Sequence, residues 1–141
     1  MVDKEKILDK MMHFQEDTLA SAIGLEITDI GEDYVCGKIP VDNRTKQPFG
    51  LLHGGASVAL AETLGSIAGN RMVNMETEMV VGIEINANHL RSVKNGWVHG
   101  KALPIKIGKR IHIWEIRITD ELNQIVCISR LTVAVVKRNR E

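Results

Sequence analysis

The sequence lacks net charge, long apolar runs and an apolar leader, and each absence argues against a class of protein. Its 141 residues include 18 basic and 18 acidic side chains, so charge gives no reason to expect binding to nucleic acid or an anionic membrane surface. No apolar run approaches the roughly 18–20 residues that cross a bilayer. Residues 1–6 are mostly charged and no apolar segment follows them, which does not match a signal peptide.

Cysteine is also sparse, and the two that occur do not suggest a cross-link. Cys36 and Cys127 are far apart, and each lies in an apolar, strand-like context, which is typical of reduced core cysteines. The histidines have no partners at metal-ligand spacing, and no glycine run matches a phosphate-binding loop. We therefore expect a cytoplasmic protein that holds no metal.

Residues 1–141 are predicted to form one domain, because the sequence has no linker, internal repeat or low-complexity tract. Apolar periodicity predicts a first helix from residue 4 to about 20 and a long apolar helix from about 54 to 73. A strand hairpin is predicted between the helices. Four further strands are predicted at 79–91, 97–107, 111–119 and 125–136.

Local signals refine this pattern. Asn95-Gly96 predicts a hairpin turn, and Pro104 predicts a bulge or an edge position in its strand. The last strand is apolar on both faces and is expected in the interior of the sheet. The predicted fold is α+β, with an antiparallel sheet that wraps around one long central helix buried on all sides.

Residues 47–66 carry the functional signal. Pro48 and Gly50 predict a loop, and His53-Gly54-Gly55 predicts the start of the long helix. Unpaired N–H groups at a helix start suit an anion or a developing oxyanion, and glycine lets a ligand approach the backbone. The same glycines could instead serve only close packing of the helix on the sheet.

Glu62 is the one carboxylate in the middle of this apolar helix. Burying it without a partner is costly, so we expect it to be paired or hydrogen-bonded. Carboxylates in such positions can act as bases or nucleophiles. The alternative is a structural glutamate at a subunit interface, satisfied by an asparagine or arginine.

The spacing of Gly55 and Glu62 limits how they could cooperate. Seven residues apart, they share a helix face but are separated by roughly 10 Å along the axis. An oxyanion donor and an attacking group must both come within about 3 Å of the reacting atoms. If both groups are catalytic, the site must lie between two subunits whose helices run antiparallel.

The motif Gln47-x-Phe49-Gly50-x-x-His53-Gly54-Gly55, followed by Leu60-x-Glu62-x-x-Gly65-Ser66, resembles the hotdog-fold acyl-CoA thioesterases. It is most similar to the glutamate-using branch, which includes 1,4-dihydroxy-2-naphthoyl-CoA and related aroyl-CoA thioesterases. The likeness continues through residues 81–91, 108–110 and 129–132, so it covers almost the whole chain.

The resemblance implies a role for each residue of the motif. Glu62 would be the nucleophile or general base at the thioester carbonyl, which the Gly55 N–H would polarise. His53 would fix the loop and that hydrogen bond; the alternative is a structural histidine that only bonds the backbone. Gln47 would contact the thioester or orient water. Ser66 would hydrogen-bond within the acyl pocket or hold the attacking water.

Further contacts to substrate or coenzyme A are implied for Val81, Gly82, His89, Arg91, Lys109 and Arg110. The alternative for His89 and Arg91 is an exposed strand end, and for the Lys109-Arg110 pair a solvated turn. Coenzyme A would enter as part of an aromatic or medium-sized acyl thioester, with no separate cofactor. The resemblance also implies a homotetramer built from two dimers.

Two other functions are compatible with the same fold. One is a hydratase or dehydratase acting on enoyl or β-hydroxyacyl thioesters, although the Pro-Gly segment usual in such proteins is absent here. The other is a non-catalytic module that binds acyl-CoA. Retention of a costly carboxylate at Glu62 argues against a module that only binds.

Overall fold

A computed structural model describes residues 3–139, which form a six-stranded antiparallel sheet packed on one long helix. The elements in chain order are α1 (Lys4–Phe14), α2 (Leu19–Ala22), β1 (Glu26–Ile30), β2 (Val35–Pro40), α3 (Gly54–Arg71), β3 (Glu78–His89), β4 (Trp97–Ile107), β5 (Ile111–Thr119) and β6 (Ile125–Lys137). The strand order across the sheet is β1-β2-β4-β5-β6-β3. This confirms the predicted α+β fold and central helix. Across residues 3–139, no helix combines the length and apolarity that a membrane span requires.

The local strand signals are also confirmed. Strand β2 pairs with β4 only along residues 97–102, so Pro104 lies where β4 has no strand on that side. The β4–β5 register shifts between Pro104 and Lys106, which is the predicted bulge. Gly96 has a φ of +78° in the turn before β4, and β6 lies inside the sheet between β5 and β3.

The predicted first helix, residues 4 to about 20, is wrong in length. Helix α1 ends at Phe14, and α2 begins only at Leu19. Asp17 lies between them with a φ of 59°, a left-handed conformation that stops a right-handed helix. The Thr18 N–H then donates to Ser21 Oγ at 3.3 Å, and this contact caps the start of α2.

Close contact between α3 and the sheet forms the core. Leu60, Ala61 and Leu64 are fully buried. The two methyl groups of Leu64 lie where side chains at Gly37 and Gly100 would start, only 2.7 Å and 2.8 Å from a Cβ built at each glycine. Any larger residue in β2 or β4 at these positions would push the helix away from the sheet.

The expectation that α3 is buried on all sides is wrong for the single chain. Its fully buried residues lie against the sheet, whereas Glu62, Thr63, Ser66 and Ile67 are only half-buried. One sheet covers only one side of a helix, and among residues 3–139 helix α1 faces part of the opposite side without closing it. An open groove therefore runs along α3, and Glu62 borders it.

Strand β3 forms one edge of the sheet and pairs only with β6 in the part of the chain that the structure describes. Met79, Val81 and Ile83 on this strand are 39%, 38% and 57% exposed. A long, apolar, unprotected edge strand is suited to pairing with another chain.

His112 makes the stability of the fold depend on pH. It is buried, and burial lowers the pKa of its imidazole below the ordinary 6.5, against a smaller opposing effect of a hydrogen bond with the Gly108 backbone. Below pH 6.5 the unfolded chain gains a proton that the folded chain resists. The contribution of His112 to the free energy of unfolding should therefore be constant above pH 6.5. Below pH 6.5 the free energy of unfolding should decrease, by at most about 1.4 kcal/mol per pH unit, until the pH reaches the folded-state pKa.

Urea unfolding of wild type and His112→Phe between pH 7.5 and pH 5 measures this effect. We expect the phenylalanine variant to lose less stability on acidification than wild type. The same loss in both proteins would show that other groups cause the acid sensitivity.

Candidate active site

His53 is the N-cap of α3, and its side chain satisfies the helix start. Its backbone is extended, with φ −69° and ψ 131°, and its Nδ1 accepts the Gly55 N–H at 2.7 Å. Because Nδ1 is an acceptor, a neutral imidazole carries its proton on Nε2. The Gly55 N–H assigned to the thioester carbonyl is therefore engaged with His53 in the free protein, and the exposed imidazole keeps a second donor.

The loop before α3 is held by backbone contacts on both sides of Gln47. The Gln47 N–H donates to Leu51 O at 2.8 Å, and the Gly50 N–H donates to Gln47 O at 2.9 Å. Gly50 has a φ of +81°, which favours glycine at this turn. The Gln47 side chain accepts the Phe49 N–H. The loop thus presents Gln47 from a defined position.

A second anchor fixes the base of the loop below His53. The His53 N–H donates to Thr45 O at 2.8 Å. The Thr45 hydroxyl is buried and donates to Pro40 O at 2.6 Å. The start of α3 is therefore tied to the end of β2, which gives the N-cap a rigid support.

The end of β3 meets the start of α3. A Cβ built on Gly54 would lie 2.9 Å from His89 Nε2, so glycine at this position lets the imidazole pack on the helix start. Gln47, Gly54, His89 and Arg91 line one cavity of about 380 Å³. The structure therefore brings together four of the residues singled out in the sequence, and we call Gln47, His53, Gly54, Gly55, His89 and Arg91 the loop half-site.

Glu62 and Ser66 lie on a different cavity. This cavity, which we call the α1–α3 cleft, has a volume of about 740 Å³ and lies between the two helices. The Glu62 carboxylate is half-buried and has no hydrogen-bond or ion-pair partner among residues 3–139. The expected partner for Glu62 is thus not found in the described part of its own chain. We call Glu62 and Ser66 the carboxylate half-site.

Gly82, for which the resemblance implied a contact to substrate or coenzyme A, lies directly against the Glu62 carboxylate. A Cβ built on Gly82 would lie 2.7 Å from Glu62 Oε1. The β3–β6 register shifts between Gly82 and Glu84, so a bulge adjoins the same point. The missing side chain leaves the space that the carboxylate occupies.

Gly82→Ala should therefore impair the site without damaging the fold. The added methyl group must displace the carboxylate, and a displacement of about 1 Å can reduce turnover about 10²-fold. Steady-state kinetics with an acyl-CoA, together with the melting temperature, measures both effects. A variant that turns over like wild type would show that the position of the carboxylate relative to Gly82 is unimportant.

Lys109 and Arg110 are not near the loop half-site of their own chain. They occupy the exposed β4–β5 turn, and the next residue, Ile111, pairs with Ala134, which in turn pairs with Val81. His89 is eight residues further along β3 than Val81, about 26 Å at the usual strand rise. The six residues assigned to substrate or coenzyme A therefore fall at two ends of one sheet.

Each chain therefore presents its candidate site residues in two separate places. The cavity of the loop half-site and the α1–α3 cleft have no lining residue in common. In general, N–H donors at a helix start can stabilise negative charge on a carbonyl oxygen, and a carboxylate can attack a carbonyl carbon or activate water. Within residues 3–139, no cluster of three or more His, Cys, Asp or Glu side chains is arranged to hold a metal ion.

Asn70 lies beside the carboxylate half-site, and the sequence did not single it out. Its Nδ2 donates to Ser66 O at 3.0 Å, and its Oδ1 accepts the Val80 N–H at 2.9 Å. It thereby joins α3 to the start of β3 next to the carboxylate half-site. The spacing of four residues indicates that the Asn70 side chain can reach the Ser66 carbonyl within the helix. The contact with Val80 could not be predicted, because it depends on how β3 packs on α3.

Comparison with known proteins identifies the family. Residues 49–127 match the family model described as the thioesterase superfamily. A 1,4-dihydroxy-2-naphthoyl-CoA hydrolase from Escherichia coli is 46% identical over 96% of this chain and 99% of its own length. The crystal structure of a thioesterase from Haemophilus influenzae has 48% identity and a TM-score of 0.90, covering 92% of this chain and 90% of that one.

A third similar protein comes from Staphylococcus aureus. It has 37% identity to this chain and has been solved with a glutamate replaced by alanine, at a TM-score of 0.83 and with 85% and 99% of the two chains covered. It has also been solved with a glutamine replaced by alanine, at a TM-score of 0.81 and with 83% and 97% covered, and is then described as a thioesterase. The chain therefore belongs to the thioesterase superfamily: it is a thioester hydrolase with the hotdog fold.

Proposed function

We propose that the protein hydrolyses an acyl-CoA with an aromatic or medium-sized acyl group, using Glu62 as the nucleophile or general base. The observation that carries this proposal is the Glu62 carboxylate, which has no partner within residues 3–139 and lies at the wall of a large cleft, in space left free by Gly82. The Escherichia coli relative, named for a naphthoyl-CoA substrate, supports the aromatic acyl group.

The Staphylococcus aureus protein supports the assignment of Gln47 and Glu62. The glutamine and glutamate replaced in its two solved variants are 15 positions apart, and Gln47 and Glu62 are separated by the same 15 positions. A pair with the same two residue types and the same spacing was chosen for substitution there.

In the proposed reaction the loop half-site binds the thioester carbonyl oxygen. The Gly55 N–H donates to this oxygen after release from His53 Nδ1, and the imidazole turns so that its Nε2–H donates to the same oxygen. Gln47 contacts the thioester or orients water. Ser66, in the other half-site, hydrogen-bonds within the acyl pocket or holds the attacking water. Negative charge that develops on the oxygen is stabilised by these donors.

Glu62 can complete hydrolysis in either of two ways. As a nucleophile, its carboxylate forms a bond to the carbonyl carbon, the C–S bond breaks, and coenzyme A leaves as a thiolate that takes up a proton. Water then hydrolyses the resulting anhydride and regenerates Glu62. As a general base, Glu62 instead takes the proton of a water molecule that attacks the same carbon.

A symmetric dimer would join the two half-sites. Gly54 lies beside His89 and Glu62 lies beside Gly82, so α3 and β3 run antiparallel to each other. In a two-fold dimer, Gly55 of one chain meets Glu62 of the other if the axis passes near residues 58–59, the midpoint of the pair. Residues 82–89 of β3 lie along this part of α3, and their midpoint is near residue 85. A two-fold axis at that point would pair the β3 strands of the two chains along residues 82–89.

This dimer also brings together the two sets of proposed coenzyme A contacts. Antiparallel pairing of the β3 edges turns the Val81 end of one sheet towards the His89 end of the other. Lys109 and Arg110 of one chain would thus join His89 and Arg91 of its partner, and basic groups suit the phosphates of coenzyme A. The bound coenzyme A belongs to the substrate, and no further cofactor is needed.

Association beyond the dimer is proposed through the outer face of the sheet. Met79 and Val136, which are strand partners, and Ile111 expose apolar surface on β3, β6 and β5. Two dimers could cover this surface back to back as a homotetramer.

Sedimentation equilibrium should give at least twice the 15.7 kDa of one chain, and an active monomer would contradict the shared site. The thiols of Cys36 and Cys127 fit a cytoplasmic location.

A thiol-release assay with a panel of acyl-CoAs tests the proposed reaction. Free coenzyme A should appear at the rate at which acyl-CoA is consumed. A change in the absorbance of an enoyl-CoA without thiol release would favour the hydratase, and binding without turnover would favour an acyl-CoA-binding module. Either outcome would contradict the proposal.

A further inference from the structure

The α1–α3 cleft has the composition and size of an acyl pocket. Glu62 and Ser66 lie on its α3 wall, and Ile7, Met11 and Phe14 lie on its α1 wall. Its volume of about 740 Å³ is within the range of about 300–1,000 Å³ that is usual for small-molecule sites. Phe14 is 79% exposed although it is aromatic, so it is available to contact an apolar ligand.

Helix α1 runs opposite to β1. Lys4, at the start of α1, forms an ion pair with Asp29, near the end of β1, at 2.6 Å between Nζ and Oδ1. Met12, near the end of α1, accepts the Ile27 N–H through its sulfur at 3.1 Å. The helix and the strand therefore have opposite directions.

Helix α3 follows the direction of β1. Arg71, the last residue of α3, donates to Gly31 O at 3.1 Å just after β1 ends. About two turns earlier in α3, Leu64 packs at Gly37, which is the strand partner of Ile27 near the start of β1. Since α1 opposes β1 and α3 follows it, α1 and α3 are antiparallel.

This direction orders the α1 side chains along the cleft. Phe14 lies towards Glu62, Met11 lies in the middle, and Ile7 lies towards Arg71. From Glu62 to Arg71 the cleft follows α3 for nine residues, about 13 Å. An extended chain advances about 1.2 Å per backbone bond, so this length accommodates an acyl group of roughly ten bonds.

We propose that α1 is the selectivity wall of the enzyme: the acyl group lies in the α1–α3 cleft with its carbonyl at Glu62, and Met11 and Ile7 set the longest acyl group accepted. The inference rests on the proposed thioester hydrolysis at Glu62. Helix α1 has no fully buried residue, but Ile7 and Met11 pack half-buried against the core, so the melting temperature of each variant is measured beside its activity. Met11 is unbranched and adapts to ligands of different shape.

Tryptophan substitutions at two depths of the cleft test this inference. Wild type, Met11→Trp and Ile7→Trp are assayed with straight-chain substrates from acetyl-CoA to dodecanoyl-CoA. In both variants kcat/KM for the longest substrates should fall at least about 10-fold further than kcat/KM for acetyl-CoA. The limit should be shorter for Met11→Trp, by about five chain bonds, because Met11 is one helical turn of about 6 Å closer to Glu62 than Ile7.

His13→Trp is the matched control, since it adds the same ring to an exposed position of α1 that does not line the cleft. It should keep the wild-type chain-length profile. Unchanged profiles in both cleft variants would overturn the inference while leaving hydrolysis intact. A change in oligomeric mass without a change in profile would also overturn it, because the cleft would then be covered by a second copy. If wild type hydrolyses no acyl-CoA, it is the proposed function that fails.

Discussion

Glu62→Gln is expected to reduce kcat for acyl-CoA hydrolysis about 10³-fold or more while leaving the fold intact. Glutamine has the shape of glutamate, so it fits the space beside Gly82 where a Cβ would lie 2.7 Å from the carboxylate oxygen. Its amide, however, neither attacks a carbonyl carbon nor accepts a proton from water at neutral pH. Loss of a general base alone typically costs about 10²–10⁴-fold, and loss of a nucleophile costs more.

Stopped-flow and steady-state thiol release with the same acyl-CoA measure this loss. Glu76→Gln is the matched control, because Glu76 is an exposed carboxylate in the connection after α3. It should behave like wild type. Substrate binding to Glu62→Gln, measured by calorimetry, should persist, since the acyl and coenzyme A contacts remain. Undiminished hydrolysis by Glu62→Gln would remove Glu62 from the reaction.

The second large effect is expected at His53, where serine and alanine separate two roles of the side chain. Serine is a good N-cap and can still accept the Gly55 N–H, whereas alanine cannot, at a cost of about 1 kcal/mol in stability. Neither replaces the imidazole Nε2–H. If this donor binds the thioester carbonyl oxygen, both variants should lose about 10²-fold in kcat.

The two readouts make the outcome unambiguous. Urea unfolding should give wild-type stability for His53→Ser and lower stability for His53→Ala, and thiol release should be low in both. Wild-type activity in His53→Ser would show that His53 only caps α3. In that case the Gly55 N–H would be the sole proposed donor in the loop half-site.

The sequence predicts strands and turns well where a local signal decides the structure. Gly96 and the bulge after Pro104 follow directly from residue types. The break after α1 does not, because Asp17 adopts a left-handed conformation that aspartate only occasionally takes. The long apolar helix suggests burial on all sides, but the sheet of one chain covers only one side of it.

The candidate site, too, could be predicted from the sequence only in part. The motif and helix spacing predict that Gly55 and Glu62 cannot act together within one chain, and the two separate cavities support that interpretation. Two other features depend on three-dimensional proximity: the His53 contact to the Gly55 N–H and the space that Gly82 leaves for Glu62. Strand length, rather than any sequence motif, separates Lys109 from His89.

Subunit complementation tests the shared site most directly. Purified Glu62→Gln and His53→Ser proteins, each expected to be nearly inactive, are dissociated together and allowed to reassociate, with each protein treated alone as control. A mixed dimer contains one site with an intact loop half-site and an intact Glu62. A shared site should restore roughly a quarter of wild-type activity, since roughly half of the dimers would be mixed and each would have one intact site of its two. Activity no higher than the average of the two variants treated alone, with mixed dimers demonstrated by mass spectrometry, would contradict it.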